Sequence, residues 1–294
     1  MLVSLKELMQ DACEKGYAVG AFNTPNLESL IAIIKAAEET GRGVILNHAE
    51  VHFPLIPIED IGPIMVKYAK EASVPVCVHL DHGCSLETCM KAIKIGFTSV
   101  MLDASADDYE ANVRDTALIC RLAHSVGVTV EAELGHIFAS NNGIGEAKEQ
   151  ETLDNYASED DVYTDPDLAK DFVLRTGVDA LAIAFGTVHG IYQKKPKLDL
   201  DRIKLIKEKI DVPFVMHGGS GLSKEEFQTA IRNGIRKINY YTYMTLAGAK
   251  AVKEFVAKSE AEGKPLFYHD LPLVAIEAMK QDVINAIRTF ALED

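Results

Sequence analysis

The sequence of 294 residues predicts a single α/β domain folded as a (β/α)8 barrel of the TIM type, on three observations. Short apolar runs alternate with amphipathic helical stretches along the chain, eight such runs are present, and the reactive side chains gather at the C-terminal ends of the runs. Alternation of this kind gives a parallel sheet, eight strands close it, and barrel enzymes build their sites at strand C-termini. Six or seven true strands would leave an open, doubly wound sheet instead.

The first run, AVGAFN (18–23), is followed by the helical stretch NLESLIAIIKAAEETG (26–41). Next come GVILNH (43–48), PVCVHLDH (75–82) with its helix SLETCMKAIKIG (85–96), and SVMLDAS (99–105) with YEANVRDTALICRLAHSVG (109–127). TVEAELG (129–135), ALAIAFG (180–186), PFVMHGG (213–219) with SKEEFQTAIRNG (223–234), and KINYYT (237–242) complete the set. The runs are rich in Val, Ile and Leu and too short for typical helices, as strands buried on both faces are. Gly41, Gly96, Gly127 and Gly234 mark helix ends. One connection breaks the rhythm: roughly 28 residues, 136–163, many of them carboxylates, where a βα loop usually takes about 2–6. It is either a solvated surface excursion or a lid that brings a carboxylate over the barrel mouth.

The net charge of −14 has no Lys- or Arg-rich stripe against it, which argues against a nucleic-acid partner. No apolar run approaches the ~20 residues of a membrane span, and the N-terminal stretch lacks a signal-peptide pattern. Five cysteines, Cys13, Cys77, Cys84, Cys89 and Cys120, form no Cys-x-x-Cys pair and read as reduced thiols in a cytoplasmic protein.

His82, His189 and His217 each fall at or just past a run's end, and each is followed by glycine: Gly83, Gly190 and Gly218. A lone histidine there is usually a hydrogen-bonded structural residue, but three on one rim point to a zinc site with an open coordination position. Asp81 beside such an ion either shuttles a proton or orients His82. His79, two residues before Asp81, shares its face of the strand and reads as inner-barrel support. HGGSG (217–221) and INYYT (238–242) precede helices after the seventh and eighth runs. Their backbone N–H groups, with the Ser220 and Thr242 hydroxyls, suit a phosphate dianion.

The segments AFN (21–23), HLDHG (79–83), GFTSVMLDAS (96–105), VEAELG (130–135), GVDALAIAFGTVHGIY (177–192), VMHGGSG (215–221) and GIRKINYYT (234–242) closely resemble the class II, zinc-dependent ketose-bisphosphate aldolases, which act on fructose and tagatose bisphosphates. The resemblance implies His82, His189 and His217 as zinc ligands, Asp103 and Glu133 as an alternative metal position, and Asp81 as the acid/base group. It implies Asn23, Gly190, Gly218, Gly219, Ser220, Asn239 and Thr242 as substrate-binding residues around dihydroxyacetone phosphate, with Na⁺ or K⁺ as a possible helper ion. It also implies a homodimer or homotetramer and a place in carbohydrate metabolism. A metal in this role replaces the Schiff-base lysine of the other aldolase class, and Lys237 is the only lysine in the predicted strands.

Three departures stand out. The family's short Gly-Gly-x-Glu-Asp loop after VEAELG is replaced by the long acidic segment, where Glu146, Glu149 or Glu151 would supply the glutamate. After the second run, where relatives place glutamine and serine near the aldehyde, this chain reads LNHAEVH (46–52). No arginine occurs in YHDLPLVAIEAMKQDV (268–283), where relatives hold a distal phosphate. The leading expectation is aldol cleavage of a ketose 1-phosphate or bisphosphate. The alternatives are a metal-dependent sugar-phosphate epimerase or hydrolase, or a non-catalytic sugar-phosphate-binding barrel.

Overall fold

The computed structural model describes residues 1–139, 162–192 and 195–293, so most of the long acidic connection lies outside the described residues. Its strands are β1 (Val19–Asn23), β2 (Val44–Ala49), β3 (Val76–Gly83), β4 (Ser99–Leu102), β5 (Thr129–Leu134), β6 (Phe138–Ala139), β7 (Ala180–Ile183), β8 (Val188–His189), β9 (Phe214–Met216) and β10 (Ile235–Tyr240). Eight of them close a barrel in the order β1-β10-β9-β7-β5-β4-β3-β2, while β6 and β8 pair separately above it. The recorded strand pairings are all parallel, as a chain of β-helix-β units requires. Each of the eight predicted runs overlaps one barrel strand.

The helices are α1 (Leu5–Lys15), α2 (Leu27–Thr40), α3 (Ile58–Glu71), α4 (Leu86–Ile95), α5 (Tyr109–His124), α6 (Pro166–Thr176), α7 (Leu200–Lys207), α8 (Lys224–Asn233), α9 (Thr242–Ala261) and α10 (Asp270–Phe290). Side-chain oxygens of Asn26, Ser85, Asp108, Asp165 and Ser223 accept first-turn N–H groups, so these starts are written in the sequence. α5 stops three residues before Gly127, the remainder forming a turn. None of the described helices is long and apolar enough to cross a membrane.

Strand alternation divides the core in two. Outward residues such as Phe22, Leu46, Val78, Val100, Val130 and Leu181 pack beneath the helices. Inward residues Val19, Ala21, Ile45, Cys77, Ala180, Ala182 and Val215 join Leu5, Leu8, Met9 and Ala12, so α1 plugs the N-terminal mouth. One layer further up, the inward positions change character: Asn47, His79, Ser99, Glu131, His217 and Lys237 are all fully buried. A barrel interior is ordinarily filled by branched apolar chains, so these polar groups need partners: His79 pairs with Ser99, and Glu131 with His217 and Lys237, beneath the site at the C-terminal mouth, while the Asn47 amide has no hydrogen-bond partner among the described residues.

Candidate active site

The C-terminal ends of the strands surround a cavity of about 420 Å³. Asn23, Asp81, His82, Asp103, Glu133, His189, Gly190, Gly218, Ser220, Asn239 and Thr242 line it, eleven of the thirteen positions singled out in the sequence. The other two lie behind the wall. His217 is fully buried against His82, and Gly219 packs on Met216, Phe227 and Ile238. His79 is the support residue expected, its Nδ1 paired with Ser99 Oγ at 2.8 Å.

Local backbone chemistry places the histidines. His82 adopts a left-handed conformation, φ 47°, where the β3–β4 register shifts between Leu80 and Gly83. Such a φ is uncommon for a non-glycine residue and re-aims its side chain from the strand into the mouth. His189 belongs to β8, which pairs with β6 in the small upper sheet. Gly218 has φ 63°, and a Cβ there would meet the Val188 carbonyl carbon at 2.6 Å, so only glycine lets the β9 loop pass beneath the His189 segment.

The three imidazoles meet edge to face, with ring centroids 4.6 Å apart for His82 and His217, 5.2 Å for His82 and His189, and 5.8 Å for His189 and His217. One nitrogen of each falls within 4.8 Å of the others, and the same span covers His82, Asp103 and Glu133. The hydrogen bonds fix two of the rings. Asp103 Oδ2 accepts from His82 Nδ1 at 2.6 Å, and Glu131 Oε1 accepts from His217 Nε2 at 2.8 Å, since an ionised carboxylate has no proton to give. That leaves His82 Nε2 and His217 Nδ1 facing each other at 2.8 Å. Two opposed lone pairs need a proton or a cation between them, and the donor set of imidazoles backed by carboxylates fits zinc.

In the metal-free protein, a proton on His82 fills that gap. Burial alone would lower His82, but the carboxylates of Asp81, Asp103 and Glu133 override it and push the ring up to about 10. Burial and the neighbouring His82 charge hold His217 well below its ordinary range. Glu133 is driven well above the carboxylate range by burial and by Asp103. Burial opposes ionisation of Asp81 too, yet His82, His217, Lys237 and His189 bring it down to about 2. Asp81 Oδ1 accepts from Asn239 Nδ2 at 2.9 Å and its Oδ2 from Asn23 Nδ2 at 3.3 Å. Its carboxylate is thus ionised and held by two amide donors. Among the described residues the cavity wall carries no lysine or arginine.

The family model for class II fructose-bisphosphate aldolase matches residues 3–294. The chain belongs to this aldolase family. It is 41% identical over 292 residues to a probable fructose-bisphosphate aldolase of Bacillus subtilis, covering 98% of this chain and 97% of that one. Against the fructose-bisphosphate aldolase of Geobacillus stearothermophilus the figure is 40% over 294 residues, 98% and 96% of the two chains. The crystal structure of the YdjI aldolase of Escherichia coli superposes with a TM-score of 0.84 at 36% identity, covering 99% of this chain and 97% of that one. Membership in this aldolase family makes the chain an aldolase, a carbon–carbon lyase. It does not favour the epimerase, hydrolase or non-catalytic readings. The family is generally zinc-dependent, in keeping with the donor set.

Several groups in and beneath the wall stand outside those thirteen positions, although His52 falls in LNHAEVH, the segment the resemblance puts near the aldehyde. His52, Cys84, His136 and Tyr241 line the cavity. Lys237 Nζ donates to Glu131 Oε2 at 2.7 Å in the buried layer below. His52 belongs to a short 3-10 turn, Glu50–His52, where strand alternation gives no cue to the direction of a side chain.

Proposed function

We propose that the protein, a single barrel domain, reversibly cleaves a ketose bisphosphate of the fructose 1,6-bisphosphate type to dihydroxyacetone phosphate and an aldehyde. The observation that carries this reading is the convergence of His82, His189 and His217 on the ionised Asp81 in one cavity. His82, His189 and His217 would hold zinc, with Asp103 and Glu133 as a second position. Zinc bound there supplies Lewis-acid stabilisation of the charge that develops on the substrate's oxygens.

The remaining work falls to the chain. Gly218 and Ser220 after β9, with Thr242 at the start of α9, suit the phosphate of the dihydroxyacetone half. Two features of α9 support this: it has no side-chain N-cap and no acidic residue in its first turn, so its end is open to an anion. Ser220 Oγ accepts the Tyr241 N–H at 3.3 Å, tying the two loops together. Asn23 and Asn239 aim Asp81, which takes the proton of the C4 hydroxyl as the C3–C4 bond breaks. The aldehyde carbonyl forms, the electron pair stays on the dihydroxyacetone phosphate fragment, and a proton is then returned to C3. The glutamates considered for that return, Glu146, Glu149 and Glu151, lie outside the described residues.

The test incubates zinc-loaded protein with fructose 1,6-bisphosphate and identifies the products. Two triose phosphates, formation abolished by a chelator and restored by zinc, are expected. A substrate adduct trapped by borohydride, or an isomer or free phosphate as product, would overturn the reading.

A further inference from the structure

We propose that His52 determines which aldehyde the site accepts, its imidazole hydrogen-bonding the hydroxyl next to the aldehyde carbon so that 2-hydroxyaldehydes are favoured over their deoxy counterparts. This deepens the aldolase reading and rests on it.

Position is the first argument. Ala49, at the end of β2, is the register partner of Asp81, and the turn carrying His52 follows at once. The phosphate loops leave β9 and β10, whereas Ala49, Val51, His52, Cys84 and Ala106 line the cavity from the ends of β2, β3 and β4, where a fragment released at Asp81 would meet them. His52 is the one strong hydrogen-bonding side chain among those five.

An unpaired buried nitrogen is the second. Ser105, also on the wall, is occupied, its Oγ donating to Asp103 at 2.7 Å. His52 is only 2% exposed, yet its Nδ1 finds no hydrogen-bond partner. Phe or Leu would fill the same space against Tyr241 without enclosing an unpaired nitrogen, so packing alone does not account for a histidine here. Burial lowers the ring's pKa to about 4, keeping it neutral near pH 7. A neutral imidazole offers one donor and one acceptor, the match for a hydroxyl rather than for an anion.

Rigidity is the third. Glu50 anchors the turn, its carboxylate accepting from the Cys84 N–H at 2.7 Å and the Thr88 hydroxyl at 3.2 Å. The His48 ring lies between the carbonyls of Thr24 and Ile56, each 3.2 Å from a ring nitrogen, so its one N–H donates to one of them, and the ring stacks on Phe53 at 5.4 Å. The His52 ring lies 4.8 Å from that of Tyr241. A group held this way is already oriented before substrate arrives.

The experiment condenses dihydroxyacetone phosphate with lactaldehyde and with propanal, which differ by that hydroxyl, and compares kcat/KM within each preparation. The ratio cancels any difference in folded or metal-loaded fraction between preparations. The wild type should favour lactaldehyde by roughly 2- to 13-fold, the scale of one net hydrogen bond. In His52→Phe the ratio should fall towards one, and His52→Gln, which restores a donor and an acceptor, should recover part of it. A wild type without preference, or a His52→Phe variant that keeps the wild-type ratio, overturns the proposal. Failure of the aldolase reading itself looks different: neither aldehyde is condensed and the C3 proton of dihydroxyacetone phosphate does not exchange in deuterated water, which sinks both.

Discussion

Glu131 bridges Lys237 and His217, one carboxylate oxygen 2.7 Å from the ammonium and the other 2.8 Å from the imidazole Nε2, with all three side chains fully buried. Lys237 fixes the carboxylate, and the carboxylate fixes which nitrogen of His217 carries the proton, leaving Nδ1 to face His82. Glu131→Ala should therefore weaken zinc binding about 10–100-fold, measured by competition with a chromophoric chelator. Lys237→Met alone leaves a buried charge unpaired and should cost about 3–5 kcal/mol in urea unfolding of the metal-free protein. The double variant Glu131→Gln, Lys237→Met should cost less than Lys237→Met alone. A larger loss in the double variant would mean the pair does not act as a unit.

Asp81 touches the cavity but belongs to neither metal-ligand group, so proton transfer and metal binding are separable there. Asp81→Asn keeps the shape and removes the base. Turnover of fructose 1,6-bisphosphate should drop by about 10²–10⁴-fold while zinc content stays stoichiometric. Normal turnover in this variant would take the proton-transfer role away from Asp81.

The fold was legible because the physics that builds it is local. AVGAFN and TVEAELG carry their own strand signal, and Gly41 and Gly96 their own stop signal, both ending helices in the left-handed conformation. His82, Asp103 and Glu133 were legible because strand C-termini share a rim, and a reactive residue at a strand end has few other places to go. Lys237 and Glu131 were harder. They lie 106 positions apart, and only barrel closure between β10, β9, β7 and β5 brings them together. His52 was harder still, since a 3-10 turn lets no simple period tell a cavity wall from solvent.

Gly218 joins two parts of the site through space rather than through chemistry. Alanine there would place Cβ 2.6 Å from the Val188 carbonyl carbon and 2.9 Å from the His189 nitrogen, at a φ of 63° that disfavours any side chain. Gly218→Ala should cost about 1–3 kcal/mol of stability and raise KM for the sugar phosphate by displacing the β9 loop from the His189 segment. Unchanged KM with lowered stability would confine Gly218 to a folding role.

Acid should expose the cost of the buried imidazoles beside the cavity. Burial holds both His48 and His52 below the ordinary value of 6.5, His52 at about 4. Once unfolded, each would titrate near 6.5, so below that pH the unfolded chain binds protons that the folded chain refuses. The stability linked to these rings is fully present above about pH 6.5 and is lost as the pH falls towards 4. For His52 the loss across that window is on the order of 3 kcal/mol. Carboxylates elsewhere titrate at the lower end of the same window, so the informative quantity is the difference between two proteins. Urea midpoints measured from pH 7 to 4.5 should fall more steeply for the wild type than for His52→Phe, which has no proton to bind in either state. Parallel curves for the two proteins would mean that His52 takes up its proton as readily when folded as when unfolded.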